Sequence, residues 1–211
     1  MMKAAAGLVK VNTGSVTYQD MPIGCGIQKM HISYMSTEPF LIHDYMKIRD
    51  VGTVFMRTFC EDFDESRFAS LLQFMQLTPD LKVKALSSGM AAKLKIAATL
   101  SRNAEVCMLD EPLNGIDLIG RDQIIQSILR AANPNATILI SSHLFDELEP
   151  IVDHIVMMAN GSLVLEGELE EIRTRYGEVD FPICIGSIFP VFRSRYSRRI
   201  RRSIRLYNFI T

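Results

Sequence analysis

Two short apolar runs, each closed by a polar cluster, constrain this chain more than any other feature. Glu105 to Leu109 ends in Asp110-Glu111-Pro112, and Thr137 to Ile140 ends in Ser141-Ser142-His143. A near-continuous apolar run of this length reads as a strand buried on both faces, the form strands take in parallel sheets. Helical spacing follows each strand, from about Leu118 to Ala132 and again from Leu144 to Leu148. Strand, helix, strand, helix predicts an α/β domain with a parallel sheet. The ligand crevice of such a sheet lies beyond the carboxyl ends of its strands.

The preceding residues add a helical portion. Gly14 to Tyr18 reads as a turn into a short strand and Met30 to Met35 as a second strand. Asp44 to Phe59 and Asp64 to Leu77 carry apolar residues at helical spacing, with Phe68, Leu71, Leu72 and Met75 at i, i+3, i+4, i+7 and Pro79 as the stop. A further helix opens at Leu86–Met90 and runs to about Ser101, presenting Met90, Leu94, Ala97 and Ala98 on one face. Near the end, Ile155–Met158 and Leu163–Leu165 joined by Asn160-Gly161 predict a hairpin, and a charged helix from Glu168 to Arg175 stops at Gly177.

Composition excludes several classes. With 48% hydrophobic and 22% charged residues in 211, the chain is neither disordered nor collagen-like. Its longest apolar stretch, Phe181 to Phe192, holds two prolines and falls short of the roughly 20 residues a membrane span needs. Cys25, Cys60, Cys107 and Cys184 form no Cys-x-x-Cys pair, so buried or half-buried thiols are expected. A net charge of -1 hides an asymmetry, because seven Arg and no acid lie between Arg193 and Arg205.

Two constellations carry chemistry. Acids at the end of a strand often serve only the dipole of the next helix. Here Asp110 and Glu111 converge with His143 from the neighbouring strand end, and an aspartate so placed can hold Mg²⁺ through its water shell while an adjacent glutamate deprotonates a water. Leu86-Ser87-Ser88-Gly89-Met90 is a helix amino terminus, whose free N–H groups favour a phosphate. The same serines serve equally as an ordinary N-cap.

The ordered set is specific: Leu-Ser-Ser-Gly-Met at 86–90, Val-Cys-Met-Leu-Asp-Glu-Pro at 106–112, Leu-Asn-Gly-Ile-Asp at 113–117 and Ile-Ser-Ser-His at 140–143. Over about Gly7 to Gly177 it resembles the nucleotide-binding subunit of ATP-binding-cassette (ABC) transporters, and its wording is most like bacterial drug, lantibiotic or cell-envelope exporters. The resemblance implies a P-loop NTPase-like fold with a helical subdomain at about 39–101. It implies ATP and Mg²⁺ as cofactors, Glu111 as catalytic base, Asp110 as the Walker B metal ligand, and His143 as the switch histidine at the γ-phosphate. Asn114 to Asp117 matches the D-loop, with Asp117 grouped with the catalytic residues. Ser87, Ser88 and Gly89 match the signature that closes over a partner's ATP, with Ser88 where glycine is more common. Thr37 or Glu38 stands where the family usually has the Q-loop glutamine. The implied partners are a second ABC ATPase subunit, identical or not, and an integral membrane permease that would hold the chain at the cytoplasmic face of the membrane; nucleic acid is not expected.

One motif of the family is missing. A P-loop needs Gly-x-x-x-x-Gly-Lys, and none of the twelve glycines is followed by lysine. Met1 to Val16 resembles the helix just after that loop, so the chain is expected to begin just downstream of it, without the strand that leads in. Losing three P-loop hydrogen bonds at about 1.5–3 kcal/mol each removes roughly three to six decades of ATP affinity. Autonomous ATP binding is expected to be negligible, and the lost strand is expected to leave unpaired backbone on buried neighbours and poor stability. The alternatives are a non-catalytic half that lends its signature helix to an intact partner, or a soluble ATPase acting on nucleic acid. Residues 178–211 are expected to form an Arg-rich tail outside the domain: an atypical end, a solvated tail or an anion-binding segment.

Overall fold

The computed structural model describes residues 1–23, 30–39, 42–131, 135–159 and 162–176, together with the backbones of 188–193 and 205–207. Three parallel strands form the centre: β3 (Ile32–Met35), β4 (Val106–Asp110) and β5 (Thr137–Ser141). Ile32 pairs with Val106, and Val106 with Thr137, so the three strands finish side by side. Their residues are buried on both faces because alternation sends successive side chains to opposite cores. Cys107, Leu109, Ile138 and Ile140 enter the larger core, whereas Val106, Met108 and Leu139 enter the smaller one with Met2 and Ala5 of helix α1 (Met2–Ala5) and Ala6 just beyond it.

The larger core is built against helices. Helix α2 runs from Ile48 to Phe59, with a π-helical middle at Val51–Met56, and begins four residues later than its periodicity predicts. Helix α3 (Glu65–Phe74) is capped by Asp64, whose Oδ1 accepts from the Arg67 N–H at 2.9 Å. It buries Phe68, Leu71 and Leu72, and Met75 just beyond it is buried too, as the spacing predicts. It stops before Pro79 is reached. Gln76 adopts φ 58°, Leu77 N–H bonds to Leu72 O at 2.9 Å and Gln76 N–H to Gln73 O at 3.1 Å. These two bonds make a Schellman cap with glutamine in the left-handed position. Helix α4 (Ser88–Leu100) and helix α5 (Leu118–Ala131) pack on the same side of the sheet.

Around this frame lie smaller elements. β1 (Ser15–Tyr18) pairs antiparallel with β2 (Met21–Pro22) through Gln19 and Asp20, both at positive φ, a two-residue hairpin turn of the primed type. β6 (His154–Ala159) and β7 (Ser162–Glu168) form the expected antiparallel hairpin; its Asn160-Gly161 turn lies outside the described residues. Short helix α6 (Phe145–Leu148) precedes them, and α7 (Leu169–Tyr176) follows, its expected stop at Gly177 lying outside the described residues. The expectation of unpaired backbone beside the central strands does not hold at β5. β8 (Ile188–Arg193), from the region expected to lie outside the domain, runs antiparallel to both β5 and β6, giving the order β3-β4-β5-β8-β6-β7. β9 (Arg205–Tyr207) pairs with β1 in the smaller sheet. Among the described cysteines Cys107 is buried and Cys60 half-buried; Cys25 and Cys184 lie outside the described residues. Among the described residues, no helix is long and apolar enough to cross a membrane.

Candidate functional site

The ends of β3, β4 and β5 bring together the residues that the sequence singles out. Asp110 and Ser141 are register partners on β4 and β5, so the turns leaving the two strands are adjacent. Glu111 leaves β4 at φ 48°, a left-handed conformation that costs a non-glycine residue roughly 1–3 kcal/mol. It is held there by Ser141, whose Oγ and carbonyl O accept from the Glu111 N–H at 2.9 and 3.1 Å. The Glu111 carboxylate then meets His143, Oε2 standing 2.9 Å from Nδ1. An ionised carboxylate only accepts, so Nδ1 carries the proton in this pair and Nε2 is left for another partner.

Asp110 is held from two sides. Ser141 Oγ donates to Oδ1, and Tyr34 of β3 donates to Oδ2 at 2.9 Å. Burial, then the hydrogen bond to Asp110, pushes the Tyr34 phenol well above the ordinary tyrosine range, so it stays a donor. These hydroxyls were not legible as site residues in the sequence. Each faces Asp110 only because the three strands finish in register, and Tyr34 is 76 residues from Asp110 along the chain.

The remaining candidates lie around this centre. Glu38, in the loop after β3, pairs with Lys3 of α1, and that bond lowers its carboxyl below the usual range. Thr37 beside it is exposed. Asp117 caps α5, its Oδ1 accepting from the Gly120 N–H at 2.6 Å. Ser87 caps α4 in the same way, accepting from Met90 N–H at 3.2 Å, while Ser88 is exposed and half-buried Gly89 faces Ile116. The helix end that carries Ser87–Gly89 therefore abuts the loop that carries Asp117, and Ser87 and Asp117 already serve as caps.

Among the described residues no three His, Cys, Asp or Glu side chains stand together as a metal cage. A single carboxylate, Asp110, is nevertheless what Mg²⁺ uses when phosphate oxygens and waters complete its shell. With no Gly-Lys pair anywhere in the sequence, the residues present fit the metal and water side of a nucleotide site and leave out its phosphate cradle.

Comparison with known proteins identifies the family. The family profile described as ABC transporter matches residues 1–114. An uncharacterized ABC transporter ATP-binding protein of Nostoc is 28% identical over 182 residues, which cover 82% of this chain and 53% of that protein. The bacitracin transport ATP-binding protein BcrA of Enterococcus faecalis is 41% identical over 104 residues, 48% of this chain and 34% of BcrA. The chain thus spans about half the length of the curated relatives it matches. A solved ATP-binding subunit of an ABC transporter superposes with a TM-score of 0.71 at 21% identity, over 83% of this chain and 75% of that one, which shows a shared fold. Since the profile takes in more than half of the 211 residues, the chain belongs to the ABC transporter family.

Proposed function

We propose that this chain is the ATP-binding unit of a transporter and that its strand ends form the water-activating half of a nucleotide site. The observation that supports this best is the Glu111–His143 pair at 2.9 Å beside an Asp110 held by two hydroxyls. In this reading Asp110 holds Mg²⁺ through water, Glu111 orients and deprotonates the attacking water, and His143 presents Nε2 to the terminal phosphate. Thr37 and Glu38 lie on the loop that senses the metal, with Glu38 engaged by Lys3. Ser87, Ser88 and Gly89 close over a nucleotide carried by a second ATPase subunit, and Asp117 joins the two by holding the adjoining loop. A membrane permease docks on the helical portion, which keeps the chain at the cytoplasmic face of the membrane. Export is the favoured direction, because relatives include proteins named for bacitracin transport and for Nod factor export.

The missing Gly-Lys pair favours a second reading, in which the chain only lends its signature helix to an intact subunit. ATP hydrolysis by a complex of this chain with an ABC ATPase subunit that has a complete P-loop separates the two. Loss of about a hundredfold with both Glu111→Gln and Gly89→Asp supports a catalytic chain. Loss with Gly89→Asp alone supports the lending role. If neither substitution changes turnover, both readings fall.

A further inference from the structure

Lys95 lies in the middle of α4, and its ammonium turns to main chain. Nζ donates to the Ser36 carbonyl at 2.8 Å and to the Glu38 carbonyl at 2.6 Å. Among the described residues no carboxylate lies within ion-pair distance of it. Burial without an acid partner lowers the lysine's pKa, and the two carbonyls are what compensate a half-buried charge. The loop they belong to is internally tied, Glu38 N–H donating to Ser36 Oγ at 3.1 Å. It also continues a contact made one turn further along the helix, where Ser33 Oγ donates to Thr99 O at 2.9 Å. Two residues before Ser36, Tyr34 reaches Asp110.

We propose that Lys95 is a positioning residue that fastens the loop Ser36–Glu38 to helix α4, so that this loop beside Asp110 moves with the helix whose amino end carries Ser87–Gly89. The proposal rests on the reading of both ends as nucleotide-facing. From Ser88 to Lys95 is seven residues, about 10 Å of helix, and a packed helix of this length shifts as one body. Strand β3 holds the loop at one end, and the exposed Lys3–Glu38 pair ties its side chain to α1. The lysine adds an attachment to α4, made through the loop's main chain. No other side chain of α4 bonds to that loop among the described residues.

Amide exchange followed by NMR in a low-urea series, on the full chain without nucleotide, tests this. In the unaltered chain the Glu38 amide opens together with the amides of α4, its rate rising with urea as theirs does. Lys95→Met keeps the reach but removes the donors, and it raises Glu38 exchange at least about tenfold while leaving the α4 amides unchanged. Lys95→Arg, which keeps donors for the carbonyls, restores most of the protection. Equal Glu38 exchange in Lys95→Met and the unaltered chain, or no rescue by arginine, overturns the proposal. If Lys95→Met fails to fold, the unaltered chain decides by the Overhauser contact between the Lys95 ε-methylene and the Glu38 α-proton, whose absence overturns it. No nucleotide is present, so a failure here leaves the reading of the site untouched, and a lack of ATP turnover leaves the attachment standing.

Discussion

Replacing Ser141 with alanine removes a donor from Asp110 and an acceptor from Glu111 in a single step. Ser141 is buried, so water does not readily take its place. The lost hydroxyl bond to the Asp110 carboxylate is worth about 1.5–3 kcal/mol, as for hydrogen bonds to charged groups generally. The loss at Glu111 is small, because its N–H keeps the Ser141 carbonyl at 3.1 Å. The expected cost is therefore about 2–3 kcal/mol, and Tyr34→Phe, which frees the other oxygen at 2.9 Å, costs a similar amount. The two should not add. Asp110 is only half-buried, so with both hydroxyls gone its carboxylate turns to solvent, and the double variant falls short of the sum by about 0.5–1 kcal/mol. Urea unfolding followed by circular dichroism suits the measurement, since the chain has no tryptophan. A cost below about 0.5 kcal/mol for Ser141→Ala, or strict additivity in the double variant, would refute the argument that two hydroxyls share one carboxylate.

Three further outcomes follow from the packing. A Cβ on Gly52 would stand 2.3 Å from Cδ1 of buried Phe68; Gly52→Ala should cost about 1–3 kcal/mol in urea unfolding despite the better helix former, and Phe68→Leu should recover part of it. Asp117→Ala should cost about 1 kcal/mol by loss of the cap on Gly120 N–H, whereas a purely catalytic aspartate would leave the unfolding midpoint where it was. The Asp64 carboxyl is held below its usual range, first by the Arg67 N–H and next by the Ser66 hydroxyl. Its contribution is therefore complete above the unfolded value of about 3.9 and is lost as pH falls through the folded one. The stability difference between the unaltered chain and Asp64→Asn should be flat above about pH 5 and shrink below it, as thermal unfolding across that range would show.

The Glu111 conformation links the strand ends to the proposed chemistry. A left-handed glutamate at the end of a buried strand is unfavourable by itself, and the Ser141 and His143 bonds are what hold it. Helix α2 offers a parallel case away from the site. Its π-helical middle lies where Gly52 lets Phe68 approach, a widening in the helix that the spacing of apolar residues alone could not disclose.

Local periodicity determined much of this protein. The strands over 106–109 and 137–140, the α3 stripe of Phe68, Leu71, Leu72 and Met75, and the late hairpin all formed where one-dimensional patterning placed them, because each pattern matches the repeat of its element. Asp110, Glu111 and His143 were legible for the same reason, being polar residues at the ends of apolar strands. Three features needed the fold. Gln19-Asp20 and Gln76 turn the chain at positive φ without glycine, which tertiary packing and backbone bonds enforce against local preference. β8 lies between β5 and β6, a pairing between segments about fifty residues apart that no local signal specifies. Tyr34, Ser141 and Lys95 acquire their partners only when β3, β4, β5 and α4 are brought into register, since a hydroxyl or an ammonium carries no sequence mark of the group that it will meet. The sequence alone thus determined which residues bear charge at the strand ends; the tertiary structure decided what orients them, because orientation depends on distances between segments that are remote along the chain.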